Sequence, residues 1–293
     1  MNLIWLVSYP KSGNTWVRQL VQHYSNGTDV VGDVYGDIHP YWFQTVSPKS
    51  IGELNLTEQT LLRPAALAHM SCFLTIPSLV KTHHGCYIIN DIPLFPMKLT
   101  SRVIYVVRDP RDIVASFANH MGLDIDGAIE AMQDHGKVIV QAEQKLAHIL
   151  RSWSDHVDSW IFSDAFERDP EHPKPLVVRY ENLSKDAETE LTRILQYMGV
   201  KEPDGNRVKL AVEQCQFEIM KEKEEEIPFP EASSNKKSGK FFRKGRVGTY
   251  KDELTAEQIK RVEKVHGEVM RKLGYKLTKP KATKNAIGLV AVV

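Results

Sequence analysis

The run at residues 102–107 limits most narrowly what this chain can fold into. Its sequence, Arg-Val-Ile-Tyr-Val-Val, is apolar at successive positions, so it predicts a strand that is covered on both faces. Shorter runs of this kind lie at residues 3–8, 79–82 and 176–179, and helical periods separate them. This alternation predicts an α/β fold whose central parallel sheet of about five strands is flanked by helices.

Apolar spacing also predicts helices over residues 15–24 and 142–162, and one that opens at Pro110. A last long helix is predicted from Thr255, which forms a capping box with Gln258. We expect one domain over residues 1–278, followed by a flexible tail at 279–293. Two stretches show no regular pattern and are expected to act at a binding site. They are an irregular, substrate-shaping insertion at 25–72 and a charged loop at 221–240 that closes as a lid.

Charge and cysteine content exclude several classes of function. Thirty-eight Lys and Arg residues against thirty-seven Asp and Glu leave a net charge of +1, so no nucleic-acid partner is expected. An anionic ligand must therefore be held by basic groups gathered in one place. Three cysteines in 293 residues argue for a reducing compartment. No targeting segment or long apolar run is evident, so we expect a cytoplasmic protein without a transmembrane segment.

Residues 8–16 combine the end of a strand, a tight glycine turn and the start of a helix. Backbone N–H groups at such a turn can cradle a phosphate or sulfate. Lys11 adds a cation, and Ser12, Asn14 and Thr15 add polar side chains. The turn is P-loop-like, but its lysine precedes the glycine, unlike the Walker pattern. Taken alone, the segment fits an anion site and an ordinary turn equally well.

Two further segments carry basic residues suited to an anion. Arg108 follows the end of a buried strand, where ligand sites of open α/β sheets lie, and Ser116 follows about two helical turns later. Residues 243–251 place cations beside two glycines, which suits a phosphate clamp or a solvated basic loop. A rival interpretation makes Asp109 a magnesium-binding acid at the end of the strand.

A fourth segment, Lys-Thr-His at residues 81–83, ends another predicted strand. A histidine there is placed for proton transfer, because its ordinary pKa of about 6.5 suits a general base. A structural role is the alternative. His83, His84 and Cys86 have no second ligand cluster at zinc spacing, so no metal site is predicted.

Together these segments resemble the cytosolic-type sulfotransferase family, whose members use 3′-phosphoadenosine 5′-phosphosulfate (PAPS). The resemblance extends from about residue 3 to residue 273. Its motifs follow in family order: Tyr-Pro-Lys-Ser-Gly-Asn-Thr-Trp at 9–16, Lys-Thr-His at 81–83, residues 108–116, Tyr-Glu at 180–181, and Arg-Lys-Gly-x-x-Gly-x-x-Lys at 243–251. Each motif alone is weak evidence, whereas five in order are specific.

The resemblance implies sulfuryl transfer from PAPS, without a metal, to a hydroxyl in preference to an amine on a small-molecule or lipid-like acceptor. The product would be 3′,5′-adenosine bisphosphate (PAP). His83 would be the base, Lys11 would stabilise the leaving oxygen, and Lys81 would be a companion cation. The residues implied to bind PAPS are Lys11, Ser12, Gly13, Asn14 and Thr15 at the 5′-phosphosulfate, Trp16, Tyr180 and Phe217 at adenine, and Arg108, Ser116, Arg243, Lys244 and Gly245 at the 3′-phosphate.

Three departures from the family pattern matter. Asn14 replaces a threonine, and Cys215 replaces a threonine that contacts adenine. The family's dimer motif is interrupted by Ala256 and Lys260, which leaves a homodimer open. The alternative function is a P-loop-type nucleotide kinase or NTPase, which needs Asp109 to bind magnesium and leaves residues 243–251 without a role. A non-catalytic binding protein on the same fold is a third hypothesis.

Overall fold

The computed structural model describes residues 2–26, 32, 34–35, 38–140, 146–163, 174–226 and 243–278. Its strands are β1 (Leu3–Ser8), β2 (Val34–Tyr35), β3 (Ser78–Thr82), β4 (Ile88–Ile89), β5 (Ile92–Pro93), β6 (Thr100–Val107), β7 (Val138–Val140), β8 (Ala147–Ile149) and β9 (Leu176–Arg179). Its α-helices are α1 (Asn14–Ser25), α2 (Pro40–Gln44), α3 (Leu56–Cys72), α4 (Pro110–Met121), α5 (Ile125–Gln133), α6 (Trp153–Val157), α7 (Tyr180–Lys185), α8 (Ala187–Met198), α9 (Gly205–Gln214), α10 (Phe217–Glu226), α11 (Tyr250–Glu253) and α12 (Ala256–Lys272).

A five-stranded sheet in the order β2-β3-β1-β6-β9 forms the centre, and all of its neighbouring strands pair in parallel. The predicted α/β fold with a central parallel sheet is therefore confirmed. Two small antiparallel pairs, β4 with β5 and β7 with β8, stand apart from this sheet.

The central strands separate two apolar cores, because successive side chains of a strand point to opposite faces. Trp5 and Tyr105 belong to the larger core, with Phe117 of α4. Ile104 belongs to the second core, with Leu20 of α1. Burial on both faces explains why β1 and β6 read as continuous apolar runs.

The register of the strands decides where the candidate site lies. Val7 pairs with Thr82, Ser8 pairs with Val106, and Val107 pairs with Arg179. The carboxyl ends of β3, β1, β6 and β9 therefore lie side by side. Residues that follow these ends meet at one edge of the sheet although they are far apart in the sequence.

The predicted helix over residues 142–162 is wrong over residues 147–152, whereas residues 153–162 are helical. Residues 142–145 lie outside the described residues, and Ala147–Ile149 is strand β8, paired with β7. Arg151 has φ 57°, a left-handed backbone conformation that an α-helix cannot contain. Helix α6 begins only at Trp153, behind a capping box at Ser152, and a π-helix follows at Asp158–Phe162.

The irregular stretch expected at residues 25–72 contains a long helix instead. Helix α3 begins behind a capping box between Asn55 and Glu58 and has Pro64 in its interior, a residue that usually ends a helix. Similarly, residues 221–226 of the expected loop belong to α10. The rest of that loop and the tail at 279–293 lie outside the described residues. Within the described ranges, no helix is long and apolar enough to span a bilayer.

We expect Ile104→Ala to lower the free energy of unfolding by about 2–5 kcal/mol, because Ile104 is fully buried at the centre of the sheet. Urea unfolding followed by circular dichroism measures the change. Leu210→Ala on α9 is the control, since Leu210 is 57% exposed and should change stability by no more than about 0.5 kcal/mol. Equal losses in the two variants would contradict the placement of the core.

Candidate active site

The turn between β1 and α1 has an unusual backbone. Lys11 has φ 70°, and Gly13, the N-cap of α1, has φ 105°. A Cβ on Gly13 would lie 2.6 Å from Cδ2 of Tyr180, so a larger residue would clash as well as strain the backbone. Left-handed residues in such a turn direct successive N–H groups toward one point, which is the geometry of an anion cradle.

Several donors of this turn have no protein partner among the described residues. Within the described residues, the backbone N–H groups of Gly13, Asn14 and Thr15 reach no protein acceptor, and the buried Oγ of Ser12 has no hydrogen-bond partner. The first turn of α1 contains no acidic residue. Since a helix N-terminus carries partial positive charge, an anion would satisfy these groups together. The Asn14 amide donates to the Leu6 carbonyl over 3.1 Å, which ties the helix start to β1.

His83, directly after β3, is joined to the end of β1. Its Nδ1 lies 2.7 Å from the Ser8 carbonyl oxygen. Because a carbonyl oxygen can only accept, Nδ1 must carry the proton, and Nε2 therefore holds the free lone pair. The ring is thus in the tautomer that can accept a proton at Nε2.

The surroundings of His83 keep its ring neutral. Burial lowers its pKa well below 6.5, and the positive charge of Lys81 and then the neighbouring His148 lower it further. Lys81 itself is buried on β3, opposite Leu6 of β1. At neutral pH the imidazole is therefore neutral, with its proton on Nδ1 and none on Nε2.

The backbone of His83 is fixed by a second histidine. His156 of α6 donates from Nε2 to the His83 carbonyl over 3.1 Å, and its Nδ1 accepts from the Tyr105 hydroxyl over 2.8 Å. Burial lowers the pKa of His156 to about 4, so it stays neutral with one donor and one acceptor. This chain of bonds holds the backbone of His83 against the core.

Tyr180, the first residue of α7, joins three of the four segments. Its ring packs beside Gly13, meets Trp16 edge-on with ring centres 5.7 Å apart, and lies under the Arg108 guanidinium at 4.2 Å. Its hydroxyl donates to the Gly245 carbonyl over 3.0 Å. The turn at 9–13, Arg108 and the glycine loop after residue 243 therefore surround one ring, as a shared ligand requires.

The loop of residues 243–249 is tied to the start of α4. The Asp112 carboxylate accepts from the backbone N–H groups of Gly248 and Tyr250, at 2.7 and 2.9 Å. Arg108 donates from Nη2 to the Arg246 carbonyl over 2.8 Å. Gly245 has φ 61° and lies so close to the Phe217 ring that a Cβ would be 2.2 Å from Cδ2. These bonds hold the loop of residues 243–249 against Arg108 and the start of α4.

Arg243 and Lys244 both contact a carboxylate that no sequence motif predicted. Arg243 donates from Nη1 and Nη2 to the two oxygens of Glu253, and Lys244 Nζ lies 2.7 Å from Glu253 Oε1. Partial burial raises the pKa of Glu253, but the hydrogen bonds from both cations outweigh that effect and lower it to about 2. Glu253 is therefore ionised at any physiological pH.

The remaining predicted residues differ in how closely they join the site. Trp16 is half-buried beside Tyr180, and Thr15 is buried in the first turn of α1. Ser116 is half-buried on α4. Cys215 is buried at the end of α9, two residues before Phe217.

The acid required by the kinase interpretation is already engaged. The Asp109 carboxylate accepts from the Arg111 backbone and guanidinium, with the ion pair at 2.6 Å. Arg111 also pairs with Glu263 at 2.6 Å. Across the described part of the chain, no three His, Cys, Asp or Glu side chains cluster as metal ligands would.

Three residues of this site were not predicted. Ser8 orients His83, Asp112 fixes the glycine loop, and Glu253 pairs with both of its cations. The position of Ser8 could have been used to predict its place at the site, since it ends the strand that leads into the turn at 9–13. Asp112 and Glu253 act on partners that only the fold brings close, so no local pattern pointed to them.

Comparison with known proteins agrees with this geometry. A family model for the sulfotransferase domain matches residues 2–274. Human sulfotransferase 1C2 is 26% identical over 283 residues, covering 90% of this chain and 82% of its own. Cytosolic sulfotransferase 1 of Danio rerio is 24% identical over 281 residues, covering 92% and 82%. The crystal structure of mouse sulfotransferase SULT7A1 complexed with PAP superposes with a TM-score of 0.59 at 22% identity, covering 92% of this chain and 85% of that one.

The fold defines an α/β enzyme whose candidate anion-binding turn lies at the carboxyl edge of its sheet. The chain belongs to the sulfotransferase family, since the family model spans nearly its whole length. The family expected from the motifs is confirmed, and the kinase alternative is not favoured.

We expect the free energy of unfolding to fall by a few kcal/mol as the pH is lowered from 6.5 to about 4. Burial lowers the pKa of His83, His84, His156 and His266, the last two to about 4. Unfolded histidines titrate near 6.5, so in this window the unfolded chain binds more protons than the folded one. The stabilisation is thus complete above pH 6.5 and is lost as the pH falls.

Urea unfolding at pH 7.5, 6.5, 5.5 and 4.5 measures this dependence. The His156→Gln variant should lose part of the slope between pH 6.5 and 5.5, because one buried titrating group is gone. A flat profile over that interval in the unmodified protein would contradict the burial of these rings.

Proposed function

We propose that this protein transfers the sulfuryl group of PAPS to a hydroxyl group of a small-molecule or lipid-like acceptor. His83 would act as the base and Lys11 would stabilise the leaving oxygen, with Lys81 as a companion cation. The observation that carries the proposal is the bond between His83 Nδ1 and the Ser8 carbonyl. It joins a neutral base, with Nε2 free to accept a proton, to the strand that leads directly into the anion turn.

The chain's own groups fit PAPS. Two of the basic side chains have buried nitrogens, Arg108 Nε and Arg243 Nε, with no hydrogen-bond partner in the described ranges, as has Ser12 Oγ. These are donors, which suit phosphate and sulfate oxygens. The turn at 11–15 would hold the 5′-phosphosulfate, and Arg108, Ser116 and residues 243–245 the 3′-phosphate. Trp16, Tyr180 and Phe217 would enclose the adenine, where one stacked base contributes about 1–3 kcal/mol.

Each residue has a defined task in the reaction. Bound PAPS supplies an activated sulfuryl group, with PAP as the leaving group. Lys11 would place its ammonium at the oxygen on which charge builds, and losing such a preorganised group typically slows a reaction by about 10²–10³-fold. His83 Nε2 would take the acceptor hydroxyl's proton as its oxygen attacks sulfur. The imidazolium then returns that proton to solvent.

Three further properties are part of this proposal. Residues 1–278 would act as one domain, because the segments at 9–16 and 243–251 share one site. A cytoplasmic location agrees with the free thiols of Cys72, Cys86 and Cys215. A homodimer stays open, since the family's dimer motif is interrupted here.

We expect PAP to protect the protein against heat far better than ATP with magnesium. At one hundred times its Kd, a ligand that binds only the folded state adds about 2.7 kcal/mol to its stability. Differential scanning fluorimetry with each nucleotide at equal concentration measures the shift in Tm. Equal or greater protection by ATP with magnesium would favour the kinase alternative instead.

We expect His83→Ala to slow sulfuryl transfer by about 10²–10⁴-fold while leaving the Kd for PAP within a few-fold, because the imidazole acts on the acceptor's proton. Isothermal titration gives the Kd, and transfer of labelled sulfate to a panel of hydroxyl compounds gives the rate. His135→Ala is the matched control, since His135 is exposed and bonded to Asp155. Full activity of His83→Ala would remove His83 from the mechanism.

A further inference from the structure

We propose that Glu253 competes with the 3′-phosphate of the nucleotide for Arg243 and Lys244, and so sets how strongly the enzyme prefers 3′-phosphorylated nucleotides. This inference rests on the proposed function, in which these two cations hold the 3′-phosphate. Glu253 would act as a built-in anionic substitute for that phosphate.

The contacts of Glu253 are those that a phosphate would make. Arg243 donates from both terminal nitrogens to the two carboxylate oxygens, with Nη2 to Oε2 at 2.9 Å. Lys244 Nζ reaches Oε1 at 2.7 Å. A guanidinium fork binds a carboxylate and a phosphate through the same paired donors. A phosphate therefore cannot use this fork unless the carboxylate gives way.

Burial makes this contact stronger than an ordinary surface ion pair. The Glu253 side chain is 13% exposed and that of Arg243 is 24% exposed, so water screens their attraction only in part. Lys244, at 49% exposure, contributes less. The same cations lower the pKa of Glu253 to about 2, so protonation does not release them at neutral pH.

The carboxylate is also held in a fixed position. Glu253 ends the short helix α11, whose first residue, Tyr250, donates its backbone N–H to Asp112. Asp112 also fixes Gly248, in the loop that carries both cations. The loop that carries Arg243 and Lys244 and the helix that carries Glu253 are therefore both bound to Asp112 of α4, which keeps the carboxylate close to the two cations.

The charge balance decides the direction of the effect. Two cations and one carboxylate leave a single net positive charge for a phosphate that carries nearly two negative charges. Arg243 Nε is buried and has no partner in the described part of the chain, so it remains as a donor beside the occupied fork. Removing the charge of Glu253 would free the fork and abolish a like-charge repulsion, so phosphate binding should tighten.

The test compares PAP with 5′-AMP, which lacks the 3′-phosphate, by isothermal titration at fixed ionic strength. The variants are Glu253→Gln, which keeps the shape and removes the charge, and Glu257→Gln as the matched control. Glu257 is exposed on α12, and its ion pair with Lys260 is long, at 3.9 Å. We expect Glu253→Gln to lower the Kd for PAP roughly tenfold, the usual size of one charge-assisted hydrogen bond, and to change the Kd for 5′-AMP less than about twofold. Glu257→Gln should change neither.

Three outcomes would overturn the inference. An unchanged PAP affinity in a folded Glu253→Gln variant would mean that Glu253 does not compete, and a weakened affinity would mean that it positions the cations instead. If Glu253→Gln does not fold, judged by its Tm, Glu253→Ala takes its place with the same expected result. PAP binding the unmodified protein no better than 5′-AMP would refute the proposed 3′-phosphate clamp itself.

Discussion

The parallel pairing of β3, β1, β6 and β9 is the constraint on which the site depends. Because their carboxyl ends lie side by side, the anion turn, His83, Arg108 and Tyr180 meet at one edge of the sheet. A shift of one residue in any pair would turn a side chain of the site to the opposite face. The two buried cores, one on each face, hold that register in place.

Two residues link the segments that meet at this edge of the sheet. Tyr180 contacts three of them, and His83 binds the end of the strand that leads into the turn at 9–13. The Tyr180 ring contacts Gly13, Trp16 and Arg108 at once. A cation–π contact of a partly desolvated arginine contributes about 0.5–2 kcal/mol, so Arg108 is aimed before any ligand arrives. Since the Ser8 carbonyl binds His83 Nδ1, the residue that opens the anion turn also selects the base's tautomer.

The parts of the fold that the sequence predicted are those in which local pattern and final environment agree. Residues 3–8 and 102–107 are apolar throughout because both faces are buried, and the turn at 9–13 needs its glycine for a left-handed backbone. Pro64 concealed the helix at Leu56–Cys72, and a left-handed Arg151 separated β8 from α6 where the apolar spacing suggested one helix.

The same reasoning explains why the candidate site was predicted only in part. His83, Arg108 and Tyr180 directly follow predicted strands, so their position could be expected from the sheet alone. Asp112 binds backbone groups up to 138 residues away, which only the folded chain brings close. Glu253 pairs with Arg243, ten residues earlier, across a turn that no sequence pattern predicted. Motifs therefore identified the groups that would touch the nucleotide, but not the groups that hold them.

Because the net charge is only +1, an anion site must gather its cations in one place. In the structure, some of these cations are paired with a carboxylate and others are not. Arg108 meets an aromatic ring and a carbonyl oxygen, which leave its full charge in place. Arg243 and Lys244 instead meet the ionised Glu253. Two cations held close together would repel one another, and the Glu253 carboxylate between them relieves that repulsion in the chain without ligand. If Arg243 and Lys244 hold the 3′-phosphate as proposed, the phosphate would have to replace the carboxylate, and the energy of the contacts with Glu253 would be subtracted from the affinity for the phosphate.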